Sequence, residues 1–180
     1  MSGRPSATGS PEENQKETGN TLPVLVLDTA ALTAGYAPAR AVNLTTRKVV
    51  DELRNFGVDW QSNPLSLIVQ VSEPAEDSLK KVSEAAGRSG DLALLSGTDV
   101  SLLALAFEQR SCSPTVVTDD YAVANVCEWL GLRHAPATLT KPSFRKMKWI
   151  WYCPRCSRVY RNGEKICETC GVTLRRKAGR

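Results

Sequence analysis

Val24-Leu25-Val26-Leu27-Asp28 decides how this chain is read, because four apolar residues run without polar alternation straight into a carboxylate. An unalternating apolar run of this length reads as a strand buried on both faces, as in a parallel sheet covered by helices. Asp28 then stands at the carboxyl edge of that sheet, where open α/β folds keep their ligand sites.

Downstream, residues 29–32 start a short helix that Gly35 and Pro38 break. Thr45 or Thr46 caps a second helix that Gly57 ends, with Val49, Leu53 and Phe56 on its apolar stripe. Glu52 falls at the edge of that stripe while Asp51 points to the other side, and a carboxylate beside a buried face costs free energy unless something pairs it. A cation is such a partner. Residues 67–71 predict a strand, 78–86 a helix, and 92–95 a short strand leading into Asp99, which sits at the start of a buried helix over 100–110. Residues 114–118 predict a strand that runs into Asp119 and Asp120, followed by a helix over 121–130 closed by Gly131 and a last strand over 132–135. The alternation of strand and helix argues for parallel βαβ units, an α/β fold.

Charge divides the chain. Residues 1–140 carry 11 Lys and Arg against 17 Asp and Glu, whereas 141–180 carry 12 against 2. An acidic body suits a site for cations and a basic end suits a polyanion. Residues 1–20 are Ser, Gly, Pro, Glu and Lys with little to bury, so a disordered tail is expected. The tail lacks the apolar core of a secretory signal and no apolar run reaches membrane-spanning length, so an intracellular, cytoplasmic protein with no membrane role is expected. The expected organisation is an α/β body over 21–137, a basic linker over 138–148, a small cysteine-bearing module over 149–175 and a basic tail over 176–180.

Cys153-x-x-Cys156 and Cys167-x-x-Cys170 are two knuckles supplying four thiolates, the tetrahedral donor set of one structural Zn²⁺ with no position left open for substrate. So small a piece cannot hold itself together by apolar burial alone. Asn162-Gly163 between the knuckles is a hairpin signal, which makes the module a zinc ribbon. Lys146, Lys148, Trp151, Arg155, Arg158, Tyr160, Arg161, Arg175 and Arg176 surround it, cations for phosphates and aromatics for unpaired bases. The competing reading has the tryptophans packing on the body and the charges merely solubilising.

Asp28, Glu52, Asp99 and the pair Asp119-Asp120 are placed to converge. Phosphodiester hydrolysis needs an activated water and charge stabilisation on two oxygens, which one or two Mg²⁺ or Mn²⁺ ions in a carboxylate cleft provide. Each acid has a plainer alternative as a helix cap, a turn residue or a solvated side chain. The only histidine, His134, makes a poor basis for nucleophilic catalysis, and no phosphate-binding Gly-x-x-x-x-Gly-Lys loop is present.

The stretches Val-Leu-Asp28-Thr, Val-Val-Asp-Glu52-Leu, Leu-Ser-Gly-Thr-Asp99-Val-Ser-Leu-Leu and Val-Val-Thr-Asp119-Asp120-Tyr resemble the PIN domain, a nuclease fold, over about 22–135. The resemblance implies a PIN-like parallel sheet flanked by helices and Mg²⁺- or Mn²⁺-dependent cleavage of single-stranded RNA. By motif position it implies Asp28, Glu52, Asp99 and Asp120 as the metal-holding acids, with Asp119 adjacent and able to substitute. A PIN-like domain followed by a four-cysteine ribbon is similar to the Nin-one-binding (Nob) type endonucleases, and the short form is similar to their archaeal members. Trp151-Tyr-Cys-Pro-Arg-Cys156 and Thr118-Asp-Asp-Tyr121 are the most telling matches. That family implies precursor small-subunit rRNA as substrate, and the small ribosomal subunit and other assembly factors as partners. The rivals are a non-catalytic RNA-binding or ribosome-binding zinc-ribbon protein and a toxin-type PIN ribonuclease.

Overall fold

The computed structural model describes residues 22–138, 144–160 and 164–179. The expected tail at 1–20 and the Asn162-Gly163 turn lie outside the described residues. The opening apolar run is a strand, β1 (Val24–Leu27), with Val26 and Leu27 wholly buried. Alongside it lie β2 (Val42–Thr45), β3 (Val69–Val71), β4 (Thr115–Val117) and β5 (Arg133–Ala135), in a parallel sheet of order β3-β2-β1-β4-β5. Leu25 faces Asn43 on one side and Thr115 on the other. From β1 the chain moves outward to β2 and β3, then returns to the far side for β4 and β5. The order therefore reverses between β1 and β4, and such a switch point leaves a crevice at the carboxyl ends of the strands.

The helices are α1 (Thr29–Thr33), α2 (Arg47–Leu53), α3 (Glu76–Ser89), α4 (Gly97–Glu108) and α5 (Tyr121–Leu130). A helix that is apolar all round must be enclosed. In α4, residues 101–106 are buried without a break, and the helix packs against α2, α3, α5 and the sheet. Polar caps set the starts: Thr46 accepts from the Val49 amide, and Asp120 accepts from the amides of Ala122 and Val123.

Three elements differ from the expectation. β2 is unmarked in the sequence because half its residues are polar; Asn43 and Thr45 are buried through bonds to the carbonyls of Pro38 at 2.9 Å and Leu27 at 2.8 Å. Residues 92–95 do not form a strand. Their amides turn back on the Asp91 carbonyl, at 2.8 Å from Leu94 and 3.3 Å from Leu95, and the apolar side chains of Leu92 and Leu95 pack on the core instead. Phe56 is not a core residue: α2 stops at Leu53, a 3₁₀ turn over 54–56 follows, and the ring is 61% exposed.

A second, antiparallel sheet is built from β6 (Trp149–Tyr152), β7 (Val159–Tyr160) and β8 (Arg175–Ala178), in the order β7-β6-β8. Residues 176–178, expected in the basic tail, pair with β6, Arg176 opposite Trp151. The ribbon rests on the body at the end of α3. The Trp151 indole donates to the Gly90 carbonyl at 2.7 Å. Gly90 has φ +83°, and a Cβ there would strike the backbone of Trp149, so conformation and close approach both demand glycine. Arg176 Nη1 lies 3.5 Å from the wholly buried carboxylate of Asp91. Met147, just before the ribbon, is tied down as well: the Asn125 side chain donates to its carbonyl at 2.9 Å and accepts from its amide at 2.8 Å.

Candidate active site

Asp28, Glu52, Asp99, Asp119 and Asp120 line one cavity of about 550 Å³. The strands of the switch point supply three of them. Asp28 follows β1, and its amide donates to the Val117 carbonyl at 3.2 Å, holding the ends of β1 and β4 together. Asp119 and Asp120 come just after β4. Glu52 reaches in from α2 and Asp99 from the first turn of α4.

The cap and site readings prove compatible, because the hydrogen bonds that fix Glu52, Asp99 and Asp120 engage one oxygen of each. Asp28 caps α1, accepting from the Ala31 amide at 2.6 Å. Glu52 Oε2 accepts from the Thr29 hydroxyl at 2.8 Å. Asp99 is the third residue of α4, and its Oδ2 closes a capping box on the Ser96 amide at 2.7 Å. Asp120 Oδ1 accepts from the Ala122 amide at 2.6 Å. Asp119 Oδ1 accepts from the Ala137 amide at 3.0 Å and, at 3.4 Å, from the amide and the hydroxyl of Thr138.

Burial pushes the Asp28 carboxyl above the ordinary range; hydrogen bonds from Thr118 and Ala31 pull it back, and the charges of Asp119 and Asp99 push it up again. Asp99 is raised in the same way, by burial first and then, against its bonds to Ser96, by the charges of Asp120 and Glu52. Carboxylates that raise one another across a cavity form a site that a hard divalent cation relieves. Among the described residues only the cysteines bring three or more ligand atoms within 4.8 Å of one another. Phe56 and Thr29 also line the cavity, so an exposed aromatic ring stands at the acids, which the apolar stripe of α2 did not reveal. His134 is not in the lining; its Nε2 lies 3.2 Å from Glu128 Oε1.

At the other end of the molecule, the Sγ atoms of Cys153, Cys156, Cys167 and Cys170 all lie within 4.8 Å of one another. Cys156 and Cys167 are 3.8 Å apart. A tetrahedron with metal–sulfur bonds of about 2.3 Å has an edge of about 3.8 Å, so the donors fit an ion of zinc's size and preference. Each knuckle turns its amides onto sulfur: Arg155 and Cys156 onto Cys153 at 3.4 Å, Cys170 onto Cys167 at 3.3 Å. The Tyr160 hydroxyl donates to Cys167 Sγ at 3.1 Å and holds that thiol down to about 6. Cys170 is pushed up to about 12, chiefly by its hydrogen bond with Cys156.

The residues expected to meet RNA are divided. Lys148, Arg155, Arg158 and Arg175 are exposed, although Arg158 also donates to the Thr169 hydroxyl at 2.6 Å. Trp151 and Arg176 join the ribbon to the body, and Arg176 stacks over Trp149 at 4.4 Å. Lys146 donates to the Glu128 carbonyl at 2.9 Å. Tyr160 is 7% exposed and serves Cys167, so its ring offers no free stacking face. Arg161 lies outside the described residues.

Comparison with known proteins agrees with this geometry. Residues 25–108 match the family described as PIN domain of ribonuclease, a span that holds Asp28, Glu52 and Asp99 and stops short of Asp119. The endoribonuclease Nob1 of Methanothermobacter thermautotrophicus is 34% identical over 160 residues, 86% of this chain and 93% of that protein. The endoribonuclease Nob1 of Pyrococcus abyssi is 36% identical over 159 residues, 84% of this chain and 91% of that protein. Ribonuclease VapC1 of Thermoplasma acidophilum is 31% identical over 159 residues, covering 85% and 77% of the two chains. With an acidic crevice at the switch point, a four-cysteine module and these relatives along most of its length, the chain belongs to the Nob1 type of PIN-domain endoribonucleases.

Proposed function

We propose that this endoribonuclease cuts single-stranded precursor rRNA at the 3′ end of the small-subunit rRNA during ribosome biogenesis, in the cytoplasm. The observation that carries the chemistry is the ring of five carboxylates around one cavity at the switch point. One or two Mg²⁺ or Mn²⁺ ions bound there would supply an activated water and stabilise charge on the attacking and leaving oxygens. Asp28, Glu52, Asp99 and Asp120 are the acids that hold them, and Asp119 stands by to orient water or share a ligand position. Phe56 stacks on a base beside the scissile phosphate. In-line attack leaves a 5′-phosphate and a 3′-hydroxyl.

The four cysteines would hold one structural Zn²⁺, a donor set that leaves no position open for substrate. Exposed Lys148, Arg155, Arg158 and Arg175 draw in a substrate that the acidic body repels, with the small ribosomal subunit as the setting and other assembly factors alongside. The likeness to a VapC ribonuclease supports a second reading, a toxin-type nuclease; the Nob1 relatives and the ribbon favour the first. The test is Asp28→Asn, assayed on single-stranded rRNA with Mn²⁺. Cleavage falls at least about a hundredfold while RNA affinity is kept, since asparagine still caps α1 but loses the charge. Cleavage at the wild-type rate would sink the metal assignment.

A further inference from the structure

A second cavity, of about 830 Å³, opens between the last two turns of α3 and the ribbon. It shares no lining residue with the acid cavity. The two are nonetheless neighbours through Asp91, whose carboxyl feels both Arg176 of the ribbon and Asp120 of the acid ring. The geometry points to this cleft as a subsite for one unpaired nucleotide of the RNA strand, away from the scissile phosphate. The inference rests on the reading of the substrate as single-stranded RNA.

The lining suits a base and its phosphate. Trp129 and Trp149 are walls of the cleft, and each indole has a cation over its ring, Lys146 at 4.9 Å and Arg176 at 4.4 Å. Arg88 and Lys148 are exposed on the same cleft. Aromatic faces interleaved with cations are how proteins take single strands without reading their sequence. Glu84, the one acid in the lining, offers an acceptor to the N–H groups of a base edge.

Two further observations point to an occupant. Gly87 lies inside α3, where glycine is unfavourable relative to alanine, yet a Cβ added there would meet nothing within 4 Å. Packing within the protein does not ask for glycine at this wall, in contrast to Gly90, but room for a ligand does. Among the described residues the Trp149 indole N–H is buried with no acceptor, and a buried donor of that kind calls for a partner.

The experiment fills the wall. Gly87→Leu puts a branched side chain into the cleft while improving the helix propensity of α3, so a melting temperature at or above wild type certifies the fold. Binding of a labelled oligoadenylate to the zinc-loaded full chain, without Mg²⁺ or Mn²⁺, is followed by fluorescence anisotropy. Affinity falls about tenfold in Gly87→Leu, the loss of roughly one stacked base. With Mn²⁺ present, KM for cleavage rises by a similar factor and kcat holds. If the substitution lowers the melting temperature, Arg88→Gln with Lys148→Gln replaces it, and reduced affinity with a shallower salt dependence is the expected result. Wild-type affinity in a folded Gly87→Leu, or in the double variant, overturns the subsite. So does quenching of tryptophan fluorescence by free AMP alone, with oligoadenylate affinity unchanged by either variant, which would mark a pocket for free nucleotides. Failure of the wild type to cut any RNA would count against the nuclease reading and leave the affinity comparison standing.

Discussion

The two clusters of cation-seeking side chains are built on opposite plans. Four thiols from two local turns lie within 4.8 Å of one another and are fixed by their own backbone amides. Five carboxylates from β1, α2, α4 and the end of β4 stand around a cavity of about 550 Å³, fixed by helix caps and strand pairing that need no metal. The first cluster is where a metal would contribute folding energy, because the ribbon's own buried core is small: Cys153, Tyr160, Cys167 and Leu174. The second is where stability is given up, because a body that folds on its own core keeps like charges facing one another. What the fold does without an ion is what would tell a structural metal from a catalytic one.

The largest effect breaks the contrast at the ribbon. Cys167→Ser removes one of four ligands and the thiol to which Tyr160 donates. Structural zinc in small modules contributes about 10 kcal/mol of folding free energy. Hydrogen exchange is expected to show β6, β7 and β8 losing protection, while the amides of β1 and α4 stay protected and the body melts at nearly its usual temperature. Ribbon amides that remain slow after substitution, or after zinc is chelated from the wild type, would show that the ribbon stands on its own packing.

A smaller effect tests the joint between the two regions. Asp91 is wholly buried and binds the Ser89 hydroxyl at 2.8 Å, the Asn125 amide at 2.6 Å and the Arg176 guanidinium at 3.5 Å. Burial holds its carboxyl above the ordinary range even against those partners. Asp91→Ala strands a guanidinium and an amide, and breaking a buried pair in this way costs about 3 kcal/mol. Chemical denaturation is expected to resolve two transitions where the wild type has one, because the ribbon comes off the body. Asp91→Asn keeps an acceptor for Ser89 or Arg176 and loses less. A single unshifted transition in Asp91→Ala would assign the docking to Trp151 and Gly90 alone.

How far the sequence revealed each region follows from how local its signals are. A run of four apolar residues ending in Asp28 exposes β1, and glycines in the left-handed region at Gly57 and Gly131 mark helix ends by their own chemistry. Two Cys-x-x-Cys knuckles declare a metal site without reference to the fold. Asp28, Asp119 and Asp120 were legible as strand ends in an α/β alternation, whereas Glu52 reaches the cavity from α2 and Asp99 from the first turn of α4, without the strand that residues 92–95 suggested. β2 was missed since Asn43 and Thr45 spend their polarity on distant carbonyls, at Pro38 and Leu27. Residues 92–95 look like a strand because apolar density cannot distinguish a chain that pairs from one that turns on Asp91. Of the joint, the tryptophan contact was the competing reading, and the ion pair was beyond reach: Arg176 and Asp91 are 85 residues apart and neither belongs to a motif. Tyr160, read as a ring for bases, proved to be a donor to sulfur, a choice that only burial decides.

The smallest effect carries the contrast to its end by giving the acids the opposite sign from the thiols. Asp28 sits in the fold with its carboxyl raised by burial and by the charges of Asp119 and Asp99. A carboxyl raised on folding contributes its full stability below the unfolded pKa, about 4, and that contribution is lost as pH rises through the folded value. Without divalent cations, then, Asp28→Asn should match the wild type in acid and exceed it at neutral pH, by about 1 kcal/mol, the usual gain on relieving an active-site residue. Added Mn²⁺ reverses the order: the wild type rises through ligand linkage and the variant stays where it was. Thermal melts across pH, with and without Mn²⁺, read both halves. A variant less stable than the wild type at neutral pH without metal would show that the Asp28 charge is satisfied by Thr118 and Ala31, and that the acid ring is a structural network with no call for a cation.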